Sequence, residues 1–390
     1  MDKGRLNEQA GALIRRHVEA GRIPFGAFGA WLDGEEICRA IEGLADMEEG
    51  HAAGADTLVR LYSMTKPVTA VAAMVLRDRG LLSESDPVSK YLPEYASAVA
   101  LGPSGREEKC RREMTVADLL NMTAGMVYPG PDAAGARIQA MFDLQHEAIS
   151  RGEGWTAREF ARQVARRPLA FHPGEHWRYG LEADVLGAVI EAASGMPLGA
   201  FLRETVLTPL GMHDTGFFIP EGERSRFAQL YKRQKGRLAI DPVRHLGLTE
   251  CLAPPAFEAG GAGLISTFDD YARFGRMLAG YGQLDGVRIL RAETVRDFER
   301  DQLNDAQRET LSFPSSSGYG YGRLMRVCVD PGAASAPADV GEFGWDGWTG
   351  VFMAVSARRN LFMLFLTQVA DGIGPGLTNE LRALVHEVLV

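Results

Sequence analysis

Apolar residues recur along this chain with two different periods. Near the start, an amphipathic pattern predicts a helix over residues 6–18, and alternating runs predict strands at 25–32 and 35–41. Near the end, we expect strands at 320–327, 343–345, 350–356 and 361–366, then a helix at 376–388. Strands at both chain ends predict one antiparallel sheet, with the first and last helices covering one of its faces.

The middle of the chain is predicted to be mostly helical. Helical spacing begins at Val68 and ends at Gly80, and shorter helices are expected at 115–121, 155–167, 181–193, 197–207, 267–279 and 291–300. The rest of 81–150 predicts short helical pieces between loops, and 221–258 has little pattern. The fold class is therefore α+β: a discontinuous sheet domain (1–75 and 255–390) and an inserted, mostly helical domain (76–254), with a cleft between them.

Composition narrows the classes of function. The 390 residues carry 46% hydrophobic and 24% charged side chains, as soluble globular proteins do, and a net charge of −9 without a basic block gives nucleic-acid binding no support. No apolar run long enough for a membrane span and no signal-peptide core are present, so we expect a cytoplasmic protein without a membrane partner. Four widely spaced cysteines predict neither a disulfide framework nor a zinc site.

The first candidate for chemistry is Ser63-Met64-Thr65-Lys66, directly before the long helix. A separation of three residues places Lys66 one helical turn from Ser63 and on the same face. Serine becomes an effective nucleophile when a neighbouring base takes its proton, and a lysine amine can do so. The exposed N–H groups of a helix start also favour developing negative charge. Taken alone, however, this spacing is more typical of a helix cap followed by a solvated lysine.

Two other segments carry candidate residues. Tyr179 precedes a predicted helix, and a phenol beside a lysine could relay the serine proton; otherwise it is a half-buried packing residue. The segment Gly344-Trp345-Asp346-Gly347-Trp348-Thr349-Gly350 lies between two predicted strands. Its glycines permit the close backbone approach that an oxyanion site requires, although a β-turn or bulge would use them equally well.

Together these three segments resemble those of the class C β-lactamase-like serine hydrolases, and most of all the family VIII carboxylesterases. The stretches at 119–126, 209–212 and 260–267 also resemble sequences of this family, so the resemblance covers roughly residues 10–388. It implies a fold like that of β-lactamases and penicillin-binding proteins. It also implies a Ser63 nucleophile, Lys66 as proton acceptor, Tyr179 as acid for the leaving group, and an oxyanion hole formed by the backbone N–H groups of Ser63 and Trp348.

The chain departs from the β-lactamase pattern in two of the three motifs. The third motif there is Lys-Thr-Gly, whereas this chain has Trp345-Asp346-Gly347, and Leu181 replaces the asparagine of the second motif. Groups that would hold a β-lactam carboxylate and acylamino group are therefore missing, which favours uncharged esters. The substrate-binding residues expected from the resemblance are Tyr128, Trp345, Gly347 and Trp348. For Tyr128 and Trp348, simple core packing is an equally good explanation.

The resemblance thus predicts a serine carboxylesterase that hydrolyses short- to medium-chain carboxylic esters through an acyl-enzyme on Ser63. Alternatives within the superfamily are a β-lactamase, a D-amino acid peptidase or amidase, and an acyltransferase. A catalytically silent binding or sensor domain is the alternative of another class. We expect a small-molecule ester as the partner and no cofactor. We also expect no metal, because Pro173-Gly174 breaks the helix that a metal-binding pair of His172 and His176 would need. A homo-oligomer is compatible with the sequence.

Overall fold

The computed structural model describes residues 2–241, 245–313 and 316–389. Within them, eight strands form the main antiparallel sheet, in the spatial order β4-β5-β6-β7-β8-β1-β2-β3. The strands, numbered along the chain, are Phe25–Leu32 (β1), Glu35–Asp46 (β2), His51–Ala52 (β3), Tyr319–Gly322 (β4), Met325–Cys328 (β5), Phe343–Asp346 (β6), Phe352–Ser356 (β7) and Leu361–Leu366 (β8). Two-stranded pairs join Val59–Arg60 to Ile265–Ser266, Val99–Leu101 to Glu107–Lys109, Tyr231–Gln234 to Arg237–Ile240, and Gln283–Leu284 to Val287–Arg288.

The α-helices of the described ranges lie before, between and after these strands. They are Lys3–Glu19 (α1), Thr65–Asp78 (α2), Val116–Leu120 (α3), Ala133–Ser150 (α4), Ala157–Ala165 (α5), Glu182–Ser194 (α6), Leu198–Leu202 (α7), Phe268–Ala279 (α8), Ala292–Phe298 (α9), Asp305–Glu309 (α10) and Gly376–Glu387 (α11). The segment between β3 and β4 therefore holds most of the helices. The proposed division into two domains at residues 75 and 255 stays a prediction.

The two ends of the chain meet in the centre of the sheet. Phe28 in β1 pairs with Ala40 in β2 on one side and with Phe365 in β8 on the other. Helices α1 and α11 cover one face, where Ile14 and Leu381 are buried in the same apolar cluster as Phe28. The predicted sheet from both chain ends, covered by the first and last helices, is confirmed.

Two predictions of local structure were wrong. The predicted strand at 320–327 is a hairpin of β4 and β5, because Arg323 and Leu324 both adopt positive φ values, 50° and 64°, and reverse the chain. The segment 133–150, expected to be broken into short pieces, is the single helix α4, which begins where the Asp132 side chain accepts a hydrogen bond from the N–H of Gly135. Its apolar positions form only a weak stripe, so periodicity did not mark it.

Membrane-spanning candidates are limited to one bent pair. In the described ranges no single helix is long and apolar enough to cross a bilayer. The segments Glu182–Ser194 and Leu198–Leu207 reach that length and composition only together, with a 74° bend between them.

Helix α8 packs against the opposite face of the sheet through a glycine, which yields a stability prediction. A Cβ atom on Gly275 would overlap the ring of Phe362, which is fully buried and stacked on Trp31. We expect Gly275→Ala to lower the free energy of unfolding by about 1–3 kcal/mol, because the close-packed ring cannot move away freely. Denaturant unfolding measures the change. Gly376→Ala, on α11 with open space around the new methyl group, is the control; equal stabilities of the two variants would contradict this packing argument.

Candidate active site

Ser63 lies on a 3-10 turn, Tyr62–Met64, that leads directly into α2. Tyr62, the residue before it, adopts a positive φ of 45°, an uncommon conformation for a residue other than glycine. The turn is held from both sides: the Leu61 N–H donates to the Leu264 carbonyl at 3.0 Å, and the Tyr271 hydroxyl donates to the Met64 carbonyl at 2.8 Å. Ser63 therefore lies at the helix start, as predicted. The backbone around it is fixed by contacts to Leu264 and to Tyr271 of α8.

Lys66 lies in the first turn of α2 and has no exposed surface. Its Nζ atom makes three hydrogen bonds: 2.8 Å to the Gly261 carbonyl, 3.0 Å to the Tyr128 hydroxyl and 3.3 Å to Ser63 Oγ. Three bonds match the three hydrogens of an ammonium group, and a neutral amine in the same place could accept the proton of Ser63. The alternative interpretation of this motif, a helix cap followed by a solvated lysine, is therefore wrong for Lys66.

The carbonyl that accepts from Lys66 belongs to Gly261, and the pair Gly260-Gly261 packs closely between α2 and α6. A Cβ atom on Gly260 would lie 2.5 Å from the Ala183 carbonyl oxygen, and one on Gly261 would lie 2.6 Å from Asp184 Oδ2. Only residues without a side chain fit here. This explains why the 260–267 stretch belongs to the site: its backbone, rather than any side chain, supplies the contact to the lysine.

Tyr128 is the partner of Lys66 that sequence reasoning assigned differently. It was expected as a pocket wall or packing residue; its ring does line the cleft, but its hydroxyl is bonded to the lysine. Burial raises the pKa of Tyr128 well above its ordinary value, so this phenol is neutral at physiological pH. No motif marked the residue, because it lies within a loop and is 62 positions from Lys66.

Tyr179 occupies the loop directly before α6 and faces the same lysine. Its ring centroid lies 4.7 Å from Lys66 Nζ and 5.4 Å from the ring of Tyr128. The Tyr179 hydroxyl accepts a hydrogen bond from Trp345 Nε1 at 3.0 Å. Among the described residues no hydrogen bond joins that hydroxyl to Ser63 or Lys66, so the phenol stands beside the pair and is oriented by the indole.

The predicted oxyanion turn follows β6 and approaches the nucleophile closely. A Cβ atom on Gly347 would lie 2.5 Å from the carbonyl oxygen of Leu61, two residues before Ser63. Thr349 Oγ1 donates to the Arg60 carbonyl at 3.0 Å, which fixes the turn to the same segment. The ring of Trp348 lies 4.9 Å from that of Tyr62. The backbone N–H groups of Ser63 and Trp348 are thus carried by two segments in direct contact, as an oxyanion hole requires.

Two buried carboxyl groups lie behind the lysine on the first turn of α6. Burial raises the pKa of Glu182 well above its ordinary value and also raises the pKa of Asp184. Asp184 Oδ1 accepts from the Gly261 N–H at 2.9 Å and so supports the glycine whose carbonyl holds Lys66. No carboxylate of the described chain lies within ion-pair distance of Lys66, which leaves its hydrogens to the three groups named above.

A cleft of about 780 Å³ opens onto this site and is lined by Ser63, Tyr128, Tyr179 and the turn at 345–348. Trp345 and Trp348 form part of its wall, together with Phe142, His146, His245 and Phe313. Asp346, which faces the opening with 53% of its side chain exposed, is paired with Arg326 at 2.8 Å. Its negative charge is therefore largely neutralised, and the cleft walls near the nucleophile are aromatic. No group of three or more potential metal ligands occurs among the residues that the structure describes.

Every predicted site residue lies in or beside this cleft. Ser63, Lys66, Tyr128 and Tyr179 meet at one end, and the Trp345–Trp348 turn lies against them. Beyond what was predicted, the structure adds Gly261, which binds the lysine, and Trp345 as the donor to Tyr179. The arrangement can activate a serine, hold an oxyanion and protonate a leaving group.

Comparison with known proteins identifies the family. The family model described as Beta-lactamase matches residues 10–387. This chain belongs to the β-lactamase family. The resemblance inferred from the three segments and the α+β fold are thereby confirmed, and the chain is a serine hydrolase.

Individual relatives within the family refine the picture. The chain is 34% identical to protein Rv1367c of Mycobacterium tuberculosis over 92% of its length and 88% of that protein. It is 33% identical to esterase EstB of Burkholderia gladioli, over 90% of this chain and 88% of the esterase. Among solved structures, EstCE1, a hydrolase with promiscuous acyltransferase activity, superposes with a TM-score of 0.83 at 24% identity and covers 98% of this chain and 99% of its own.

The hydrogen bond between Trp345 and Tyr179 yields a test of the site geometry. We expect Trp345→Phe to lower kcat about tenfold with little change in KM, because the Tyr179 hydroxyl loses the donor that orients it. Steady-state kinetics on a chromogenic ester measure this. Trp177→Phe is the matched control, since Trp177 stacks on the same tyrosine but its Nε1 has no partner in the described chain. Equal losses in both variants would refute the orienting role.

Proposed function

We propose that this protein is a serine carboxylesterase acting on uncharged esters of short to medium acyl chain. The observation that carries the proposal is the buried Lys66 amine, which lies 3.3 Å from Oγ of Ser63, a residue that lines an aromatic cleft. The similarity to an esterase of the same family over most of both chains supports the ester class. Trp345-Asp346-Gly347, in place of a lysine-bearing motif, supplies no cation of its own to bind the carboxylate of an anionic substrate.

The reaction follows from the positions of the groups. Lys66 accepts the proton of Ser63 as Oγ bonds to the ester carbonyl carbon, and the carbonyl oxygen becomes an oxyanion between the N–H groups of Ser63 and Trp348. Collapse of this intermediate breaks the bond to the alcohol oxygen, which receives a proton from Tyr179. The proton held by Lys66 restores the phenol. Water then repeats the sequence on the acyl-enzyme and releases the carboxylic acid.

Tyr128 and Tyr179 have different tasks in this scheme. Tyr128, bonded to Lys66 and neutral, holds the amine in line with Ser63. Tyr179, whose hydroxyl is held at the indole of Trp345 instead of at the lysine, can reach a leaving group in the cleft. In this scheme Tyr128 positions the Lys66 amine, and Tyr179 transfers the proton to the leaving group.

Transfer of the acyl group to an alcohol is the second candidate. The cleft is lined by Gln139 and His146 from α4 and by Asn379 and Arg382 from α11, as well as by the residues around Ser63. A volume of about 780 Å³ lies well within the range of pockets that enclose drug-sized ligands, so an acceptor alcohol could lie beside the acyl-enzyme. Hydrolysis and transfer share every step up to that intermediate.

The nucleophile assignment makes a direct prediction. Ser63→Ala should lower kcat/KM for a short-chain 4-nitrophenyl ester by about a thousandfold or more, because no acyl-enzyme can form. A serine-directed alkyl phosphonate should label the wild type once, at Ser63, which mass spectrometry detects. Unchanged turnover in Ser63→Ala would exclude the mechanism, and failure to label Ser63 would favour the silent binding domain.

The division of labour between the two phenols makes a second prediction. Tyr179→Phe should cost on the order of a hundredfold in kcat, since a proton donor is lost, while Tyr128→Phe should cost about tenfold, since Lys66 loses only one of its three partners. Single-turnover acylation by a 4-nitrophenyl ester measures both. A larger loss in Tyr128→Phe than in Tyr179→Phe would reverse the two assignments.

A further inference from the structure

The indole of Trp348 is held by groups that lie outside the oxyanion turn. Its Nε1 donates a hydrogen bond of 3.1 Å to Asp371 Oδ1, and Lys232 Nζ lies 3.1 Å from the other carboxylate oxygen of Asp371. The ring packs against Tyr62, and its centroid lies 4.6 Å from that of His245. The Trp348 side chain is therefore held by contacts that do not involve its backbone N–H, the proposed oxyanion donor.

The backbone of the same turn is fixed without Asp371. Thr349, the next residue, donates through Oγ1 to the Arg60 carbonyl at 3.0 Å and accepts from the Val369 N–H at 2.9 Å. Loss of the Asp371 carboxylate would thus leave the Trp348 N–H in place and release only the indole. The position of the Trp348 backbone N–H and the position of the Trp348 indole therefore depend on different contacts.

Asp371 itself is held in a defined place. Its φ of 64° is a left-handed conformation, which aspartate and asparagine tolerate better than most residues. The chain just before it pairs with Tyr231: the Tyr231 N–H donates to the Gln368 carbonyl at 3.0 Å, and the Ala370 N–H donates to the Tyr231 carbonyl at 2.7 Å. Since Lys232 follows Tyr231, the ion pair to Asp371 joins two segments that are already in register.

We propose that Asp371 is a positioning residue that sets the acyl-chain selectivity of this enzyme, by holding the Trp348 indole as a fixed wall beside Ser63. The inference rests on the proposed esterase function and deepens it. Trp348 and Asp371 both line the cleft, and the indole lies against Tyr62, the residue before the nucleophile. A fixed indole limits the space beside the serine, whereas an unanchored one can turn away and admit longer acyl chains.

The test compares an acceptor-retaining variant with a truncated one. Asp371→Asn keeps an oxygen for the indole N–H, and Asp371→Gly removes it; both residues tolerate the positive φ. We expect the ratio of kcat/KM for 4-nitrophenyl acetate to that for 4-nitrophenyl decanoate to fall about tenfold in Asp371→Gly and to stay near the wild-type value in Asp371→Asn. Asp285→Gly is the matched control, because Asp285 also has a positive φ (48°) and an exposed ion pair, with Arg273.

The indole provides the second arm of the experiment. Trp348→Phe, which lacks the N–H, should shift the ratio as Asp371→Gly does, and the double variant should shift it no further. A wild-type ratio in Asp371→Gly, an equal shift in Asp371→Asn, or additive shifts in the double variant would each overturn the positioning role.

Ser63→Ala separates this failure from that of the proposed function: if it abolishes turnover while Asp371→Gly keeps the wild-type ratio, only the role of Asp371 is lost. If Ser63→Ala retains turnover, both fail.

Discussion

The site depends on one constraint, the satisfaction of a fully buried amine. Removing Lys66 from water is costly unless its hydrogens find partners, and the Gly261 carbonyl, the Tyr128 hydroxyl and Ser63 Oγ provide them. The carbonyl can approach because Gly260 and Gly261 leave room between α2 and α6. The bonds that make the buried lysine tolerable are the same bonds that align it with the nucleophile.

The fold satisfies this constraint by bringing segments from the whole chain to the carboxyl end of strand β6. Strands from the two chain ends pair in the sheet centre, which brings the turn after β6 against the segment that precedes Ser63. The long insertion between the strands then supplies Tyr128 and Tyr179 from the other side of the cleft. The sheet thus holds the oxyanion turn, and the insertion contributes the phenols.

Selectivity has a different physical origin from reactivity. The Lys66 amine is held by hydrogen bonds in the interior, whereas one wall of the cleft, the Trp348 indole, is anchored by the exposed Asp371–Lys232 pair. Asp346, which alone would repel anions, is paired with Arg326 and leaves the cleft close to neutral. The cleft can therefore change its preferred ester without disturbing the amine and the nucleophile.

What the sequence determined by itself was local or periodic. Helical geometry places Lys66 one turn from Ser63, and strand alternation with helices between predicted the sheet that joins both chain ends, because each depends on neighbours along the chain. The bond from Tyr128 to Lys66 spans 62 residues and that from Trp345 to Tyr179 spans 166, so only the tertiary structure decided which phenol meets the amine. Helix α4 has only a weak apolar stripe, and the prediction over 320–327 missed the reversal at Arg323 and Leu324, so tertiary packing defined both.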